Sequence, residues 1–249
     1  MQGKRVIVTG PSSGIGKEIA AQLAALGADL VLACRDVGRG QQAAAEIARR
    51  TRVSNCEVMR VDTSSPQSIR DFARQYRERF SRLDVLVNNA GIMLPRRQLN
   101  ADGVELTFAT NVLGYFLLTR ELLDLLRASA PARIVNVASR FASNLELSDL
   151  QFERRPYVGR HAYAQSKACN RMLTWAGARR IEGSGVTANA MAPGFVLTGL
   201  YRDAPAALGL LLRAIGFFSS RSVAQGADTA VWLASSPEVE GMNGKFFEE

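Results

Sequence analysis

The sequence has 249 residues, of which 47% are hydrophobic and 22% charged, and lysine plus arginine exceed aspartate plus glutamate by 31 to 23. This length fits one α/β domain, and the apolar content excludes a chain that is disordered throughout. The basic residues are scattered and match no nucleic-acid-binding motif, so we expect no nucleic-acid partner.

The sequence also argues against membrane, disulfide and metal sites. No unbroken apolar run approaches the roughly 18 residues of a membrane-spanning helix, so we expect no membrane span. The three cysteines, Cys34, Cys56 and Cys169, form no CxxC pair or Cys/His spacing, which indicates reduced thiols rather than disulfides or a zinc site. The sequence enters an apolar strand at Arg5 without a charged leader, so we expect a cytoplasmic protein.

Short apolar runs alternate with longer stretches of helical periodicity along the chain. Strands are predicted at 5–9, 29–34, 56–61, 84–88, 133–137 and 186–191, with a short final strand at 245–247. Helices are predicted at 14–26, 40–50, 66–80, 104–128 and 162–182. This alternation predicts one doubly wound Rossmann-type α/β domain over residues 1–249, with a mostly parallel sheet of about seven strands and helices on both faces. Ligands of such sheets bind at the carboxyl ends of the strands.

A glycine-rich turn joins the first predicted strand to the first predicted helix. Glycine permits a tight turn and lets a pyrophosphate approach the free N–H groups at the helix N-terminus. The spacing is Gly-x-x-x-Gly-x-Gly, and glycine also serves packing alone in such turns, but the position between a strand and a helix favours a nucleotide. The predicted nucleotide contacts in the turn are Gly10, Ser12, Ser13, Gly14, Ile15 and Gly16.

The end of the second strand indicates which nucleotide is preferred. NAD sites usually place an acid about 20 residues after the glycines, where it binds the ribose 2′-hydroxyl. Here Cys34 takes that position and Arg35 follows, and a guanidinium can pair with a 2′-phosphate. NADP(H) is therefore favoured over NAD(H), with a helix cap or an arginine partner as the alternative roles of Asp36. After the third strand, Asp62 and Thr63 are expected near the adenine ring, although Asp62 is also typical of a turn.

Several polar residues have the spacing of a catalytic site. Tyr163 and Lys167 are four residues apart, so they share one helix face. An adjacent ammonium lowers the pKa of a phenol and makes it a usable general acid toward a carbonyl, although the same spacing occurs on solvated helix edges. Ser139, just after the fifth strand, can donate to a substrate oxygen. Asn111 lies inside a predicted helix, which indicates either a local carbonyl partner or an anchor for a water linked to Lys167.

Together these motifs resemble those of the short-chain dehydrogenase/reductase family over nearly the whole chain. The shared motifs are the Thr-Gly-x-x-x-Gly-x-Gly turn, Asn88-Asn89-Ala90-Gly91, Asn111, Ser139, Tyr163-x-x-x-Lys167 and Pro193-Gly194. The resemblance implies that Tyr163 protonates the carbonyl oxygen and that Ser139 positions it. It implies that Lys167 binds the nicotinamide ribose and that Asn111 binds the proton-relay water. The further cofactor contacts that it implies are Asn89, Ala90, Gly91, Tyr163, Lys167, Pro193, Gly194, Val196 and Thr198.

Within the family, the sequence resembles the retinol dehydrogenase branch. Ala33-Cys34-Arg35-Asp36 is similar to that branch's nucleotide turn, and the 24-residue step from Ser139 to Tyr163 is similarly long. The N-terminal membrane anchor and further C-terminal segment of many members are not expected here. A weaker resemblance, through Lys167-Ala168-Cys169-Asn170 and Gly199-Leu200-Tyr201-Arg202, is to the light-dependent protochlorophyllide reductases, which would imply reduction of a conjugated C=C bond.

The apolar stretch 204–218 follows the cofactor turn, where family members place a mobile lid. We expect residues 195–221 to form a substrate lid, with a subunit interface or a membrane-surface contact as the alternatives. Such a lid indicates a small lipophilic aldehyde, ketone or alcohol. The resemblance implies a homo-oligomer, a dimer or tetramer, formed through the helix of Tyr163 and the helix before it. A nucleotide-binding regulatory module without turnover and a surface-association protein remain the rival functions.

Overall fold

The computed structural model describes residues 1–143, 145–196 and 221–248. These residues contain a seven-stranded sheet of order β3-β2-β1-β4-β5-β6-β7, in which all neighbouring strands pair in parallel. The strands are β1 Arg5–Thr9, β2 Asp29–Cys34, β3 Cys56–Arg60, β4 Val85–Asn88, β5 Ala132–Val137, β6 Val186–Met191 and β7 Phe246–Phe247. The helices are α1 Gly14–Ala25, α2 Val37–Thr51, α3 Pro66–Arg79, α4 Leu106–Phe108, α5 Gly114–Ala128, α6 Gly159–Arg180 and α7 Val223–Ser235.

Helices cover both faces of this sheet. Successive residues of β1 point to opposite faces, as in any strand. Val6 and Val8 pack in one buried cluster with α1, α2 and α7, whereas Ile7 packs in a second cluster with α3, α5 and α6. Two separate apolar layers on one parallel sheet confirm the doubly wound Rossmann-type fold predicted from the sequence.

Side-chain caps explain where two helices begin. Helix α2 begins at Val37 rather than at residue 40, because the Asp36 carboxylate accepts the N–H of Arg39 at 3.0 Å and caps the helix. Helix α7 lies outside the predicted set of bounded helices. It begins at a capping box, in which Ser222 Oγ accepts the N–H of Gln225 and the Gln225 side chain accepts the N–H of Ser222. The Ser-x-x-Gln spacing could have predicted this start.

The helix predicted at 104–128 begins at Leu106 and is interrupted by a π-helical turn, Ala109–Leu113. The buried Glu105 carboxylate starts it by accepting the N–H groups of Thr107 and Phe108 at 2.8 and 2.6 Å. A π-helical turn adds one residue per turn and is frequently found at functional sites. Among the described helices, none is both long and apolar enough to cross a membrane.

Candidate active site

The carboxyl ends of the central strands border one cleft of about 430 Å³. The predicted cofactor contacts that line it are Gly10, Ser12, Ser13, Gly14, Ile15, Gly16, Arg35, Asp62, Thr63, Asn89, Ala90, Gly91, Tyr163, Lys167 and Pro193. Of the remaining predicted contacts, Gly194 and Val196 follow β6, and Val196 forms an isolated parallel bridge with Arg221. Thr198 and the predicted lid segment 204–218 lie outside the described residues. The cleft therefore extends from the glycine turn to the tyrosine and lysine of α6.

The glycine turn has the backbone that its sequence requires. Gly10 and Gly14 have φ values of 65° and 57°, in the left-handed region that favours glycine. A Cβ atom on Gly16 would clash with the Gly10 carbonyl oxygen and the Asn89 side chain. The side chain of Ser13, the residue before α1, makes no capping bond and so does not itself occupy the first N–H groups of the helix. This turn fits a phosphate group.

Thr9 ties the glycine turn to the Asn-Asn-Ala-Gly motif. Its Oγ1 accepts the N–H groups of Asn89 and Ala90 at 2.8 and 3.0 Å and donates to the carbonyl oxygen of Val87 at 3.3 Å. The Asn89 side-chain amide in turn donates to the Thr9 carbonyl oxygen at 2.9 Å. No local sequence pattern indicated that Thr9 connects the two motifs, because its partners are about eighty residues away in the chain.

The end of the cleft that follows β2, where the sequence predicts the ribose, is called the ribose end. It contains two arginines, Arg35 and Arg39, and both are exposed. Asp36 also lines the cleft, but its carboxylate caps α2, which is one of the two alternative roles considered for it. Burial raises the pKa of the Cys34 thiol, and its Sγ donates to the Asp36 carbonyl oxygen at 3.2 Å. Arg35 and Arg39 together outweigh the one negative charge of Asp36, so the net formal charge of these three side chains is positive.

Asp62 and Thr63 border the cleft beyond β3. One Asp62 carboxylate oxygen accepts the N–H and the hydroxyl of Ser64 at 2.9 and 2.6 Å, so this residue does form the turn that its sequence context indicated. Helix α5 starts directly against Thr63, since a Cβ atom on Gly114 would lie 2.5 Å from the Thr63 carbonyl oxygen. The close approach explains a glycine at the first residue of α5.

Lys167 is almost completely buried and lies beside Tyr163. Its Nζ donates to the Val137 carbonyl oxygen at 2.7 Å and lies 5.6 Å from the centre of the Tyr163 ring and 5.4 Å from that of Tyr115. Desolvation lowers the pKa of Lys167 to about 7. The ammonium that was expected to act on the phenol is thus itself a titrating group near neutral pH.

Asn111 lies in the π-helical turn and is fully buried. Its Oδ1 accepts the N–H of Ile92 at 2.9 Å, and its Nδ2 donates to the Ile92 carbonyl oxygen and to Ser166 Oγ at 3.0 and 2.9 Å. A Cβ atom on Gly91 would lie 3.4 Å from Asn111 Oδ1 and 3.7 Å from Lys167 Nζ. Because Gly91 has no side chain, space remains in front of Asn111 Oδ1 and Lys167 Nζ. The water-anchoring role of Asn111 stays a prediction.

Ser139 follows β5 and is nearly buried. Its Oγ accepts the N–H of Phe141 at 3.1 Å, and its carbonyl oxygen accepts a hydrogen bond from Arg171 at 2.5 Å. A hydroxyl that accepts one bond can still donate its own hydrogen, as the predicted role requires. No local pattern in the sequence marked Arg171, which belongs to α6.

The apolar wall of the cleft comes from residues that carried no motif. Met93, Leu94 and Leu106 line the same cleft as the tyrosine and the lysine. Gly159, the first residue of α6, packs against this wall, since a side chain there would clash with the Leu94 carbonyl oxygen. Cys169, on which the weaker resemblance depends, is buried, and burial raises its thiol pKa to about 11. No cluster of potential metal ligands occurs within the described ranges.

Comparisons with known proteins match this geometry. The family model for short chain dehydrogenase matches residues 4–208. Mouse retinol dehydrogenase 12 is 42% identical over 250 residues, covering 99% of this chain and 78% of that protein. Human retinol dehydrogenase 14 is 39% identical over 264 residues, again covering 99% of this chain and 78% of that protein.

Solved structures share the fold. The Pseudomonas aeruginosa RhlG/NADP active-site complex has a TM-score of 0.80 at 27% identity and covers 100% of this chain and 95% of its own. A short chain dehydrogenase from Burkholderia cenocepacia J2315 in complex with NADP has a TM-score of 0.79 at 28% identity, over 99% and 96% of the two chains. These matches confirm the resemblance to the family and to its retinol dehydrogenase branch. The chain belongs to the short-chain dehydrogenase/reductase family and is an oxidoreductase of CH–OH and C=O groups.

Proposed function

We propose that this protein is an NADP(H)-dependent oxidoreductase that interconverts a lipophilic aldehyde or ketone and its alcohol, with Tyr163 as general acid and base. The observation that carries this proposal is the position of Tyr163 and Lys167 in the same cleft as the glycine turn. A nicotinamide cofactor, when bound, supplies or accepts the hydride. The space beside Gly91, which has no side chain, and the start of α1, where Ser13 makes no capping bond, are compatible with this cofactor.

The residues of the chain handle the proton and the oxygen. In reduction, Tyr163 donates its phenolic proton to the carbonyl oxygen, and in oxidation the phenolate removes the proton of the alcohol. Ser139 donates its hydroxyl hydrogen to the same oxygen and so stabilises the charge that develops on it. Lys167 binds the nicotinamide ribose and, when charged, favours the phenolate. Asn111 anchors the relay water beside Lys167.

The preference for NADP(H) rests on charge at the ribose end. Arg35 and Arg39 line the cleft there, and guanidinium groups pair well with phosphate oxygens. The Asp36 carboxylate is engaged as the cap of α2. Two structural relatives are described as complexes with NADP, which supports the same preference here.

The substrate class rests on the apolar wall and on the relatives. Met93, Leu94 and Leu106 line the cleft that also contains Tyr163, and the apolar segment 204–218 follows β6 in the sequence. The relatives named as retinol dehydrogenases favour a retinoid-like substrate, with residues 195–221 as its lid.

We also propose a homodimer formed through α5 and α6, and a cytoplasmic location. Phe116 on α5 and Met172 and Trp175 on α6 are 42%, 48% and 41% exposed, and a groove of about 280 Å³ runs between the two helices. A second copy that covers this face would bury these side chains. The location is supported by the three cysteines, which are all free thiols.

The test is the initial rate of absorbance loss of NADPH and of NADH with a panel of lipophilic carbonyls that includes all-trans-retinal. We expect faster oxidation of NADPH than of NADH. Tyr163→Phe is expected to abolish turnover while NADPH still binds, because the phenyl ring keeps the packing but lacks the hydroxyl that donates the proton.

Each other outcome identifies a different error. Faster turnover with NADH would contradict the argument from Arg35. Unchanged turnover by Tyr163→Phe would contradict the mechanism. Binding of NADPH without turnover of any carbonyl would favour the regulatory module.

A further inference from the structure

The catalytic helix carries a third residue, the cation Arg171, in line with Tyr163 and Lys167. Tyr163, Lys167 and Arg171 follow one another at four-residue intervals, so they share one face of α6. Lys167 donates to the carbonyl oxygen of Val137, and Arg171 donates to that of Ser139. Helix α6 therefore binds two carbonyls, two residues apart, where the chain leaves β5.

The second of these contacts lies where the sheet no longer fixes the chain. The register of β5 with β6 ends at Val137 and Met191, followed by one bond from the N–H of Ala138 to the Met191 carbonyl oxygen at 2.8 Å. Ser139 comes next, and its carbonyl oxygen accepts the Arg171 bond of 2.5 Å. The direction of the Ser139 hydroxyl thus depends on a turn that α6 binds through Arg171.

Residues next to β7 and within it orient the Arg171 guanidinium. Its Cζ lies 3.7 Å from the centre of the Phe246 ring, and its Nη2 lies 3.3 Å from a carboxylate oxygen of Glu248. The other carboxylate oxygen of Glu248 lies 3.7 Å from Nε of Arg140, the residue after Ser139. A planar cation that is stacked on a ring and paired with a carboxylate has a defined orientation.

We propose that Arg171 is a positioning residue for the reaction, which fixes the backbone of Ser139 relative to Tyr163 so that the serine hydroxyl meets the substrate oxygen. The Arg171 guanidinium donates to the Ser139 carbonyl oxygen and pairs with Glu248. Arg171 therefore acts through the backbone of Ser139, which directly follows Ala138 in the lining of the cleft. The inference rests on the proposed function, because it requires the role assigned there to Ser139.

The test is a double-mutant cycle between Arg171 and Ser139 in the full chain, with NADPH and the best carbonyl of the panel. Arg171→Met is expected to lower kcat about tenfold or more, since small misplacements of positioned groups have effects of this size. The KM for NADPH is expected to change by less than about twofold, because no cofactor contact is removed. In the Ser139→Ala background, the same substitution is expected to change kcat by less than about twofold.

Two further variants complete the design. Arg171→Lys keeps one donor and is expected to restore part of kcat. Arg179→Met, which removes an exposed arginine from the last turn of α6, is the matched control and should keep the wild-type kcat.

Equal losses of kcat in both backgrounds would overturn the proposal, and so would an unchanged kcat of Arg171→Met in the otherwise wild-type enzyme. If Arg171→Met does not fold, Arg171→Lys is compared in the same two backgrounds by the same criteria. Turnover that survives Tyr163→Phe would instead contradict the proposed function, so the two failures are distinguishable.

Discussion

Lys167 combines a buried position with a role that depends on charge. Its Nζ donates to one backbone carbonyl oxygen and lies near two aromatic rings, and desolvation lowers its pKa from 10.5 to about 7. The charged form favours the Tyr163 phenolate, whereas the neutral form is easier to bury. The charge that serves catalysis therefore opposes folding.

This opposition predicts how stability changes with pH. Between about pH 7 and pH 10.5 the unfolded chain binds one more proton at Lys167 than the folded chain, so the free energy of unfolding rises with pH. The rise from this residue is up to about 5 kcal/mol. Urea unfolding of the cofactor-free protein at about pH 7, 8 and 9 measures this rise. The free energy of unfolding of the wild type minus that of Lys167→Met should increase with pH, because methionine does not titrate. Parallel curves for the two proteins would contradict the lowered pKa.

Arg35 is the residue on which the cofactor preference depends. Arg35→Ala is expected to raise the KM for NADPH about tenfold or more, since hydrogen bonds to charged groups contribute about 1.5–3 kcal/mol. The KM for NADH should change by less than about twofold, because NADH lacks the 2′-phosphate. Arg49→Ala, on the last turn of α2, is the control and should leave both values unchanged. Equal effects on the two cofactors would show that Arg35 does not bind the phosphate.

Single residues also show what the sequence could not decide. Asp36 was compatible with several roles, and only the position of the Arg39 N–H shows that it caps α2. Asn111 was recognised as unusual in a helix, but the π-helical turn that directs it toward Ile92 depends on tertiary contacts. Chemistry-bearing residues could therefore be named from the sequence, while their partners could not.

At the scale of elements, the start of the helix that leads to Asn111 depends on one buried carboxylate. Glu105 accepts the N–H groups of Thr107 and Phe108, and it also accepts the hydroxyl of Tyr157 at 3.1 Å. Burial is the main cause that raises the pKa of Tyr157 to about 12, so this phenol remains a donor at neutral pH.

Removing the Glu105 carboxylate should lower the free energy of unfolding more than removing the Tyr157 hydroxyl that binds it. Glu105→Ala is expected to lower the free energy of unfolding by about 2 kcal/mol or more, because a cap is lost and buried donors lose their acceptor. Tyr157→Phe removes only the hydroxyl and is expected to cost about 1 kcal/mol. Urea unfolding at neutral pH measures both values. A loss for Glu105→Ala no larger than that for Tyr157→Phe would contradict the capping role.

At the scale of the whole molecule, the alternation of apolar runs and helical stretches was sufficient to predict the fold class. Apolar period and turn chemistry act over a few residues, so they predict where β1 or α3 lies. The contacts that complete the site join distant positions: Asn89 binds Thr9 across 80 residues, and Glu248 binds Arg171 across 77. No local pattern contains such pairs, and helix α7, on which Trp232 was expected to lie, was given no bounds where only a cap marked its start.

The proposed dimer can be tested at the exposed face of α5 and α6. Trp175→Arg places a charge among the side chains that a second copy would bury, and it should convert the dimer into a monomer. Leu26→Arg, which changes a similarly exposed leucine at the end of α1, should leave the dimer intact. Size-exclusion chromatography with light scattering measures the mass of each. A monomeric wild type would contradict the proposal.

The position of β7 beside β6 bears on the order in which the protein assembles as it is synthesised. The two strands pair at Ala190 with Phe246 and at Met191 with Phe247, so β6 leaves the ribosome well before its outer neighbour. Domains generally fold as units, and unpaired strand edges favour aggregation, so an incomplete chain exposes the edge of β6 until residues 246 and 247 are available to cover it. If Glu248 and Phe246 orient Arg171 as proposed, the same few residues that cover this edge also complete the site.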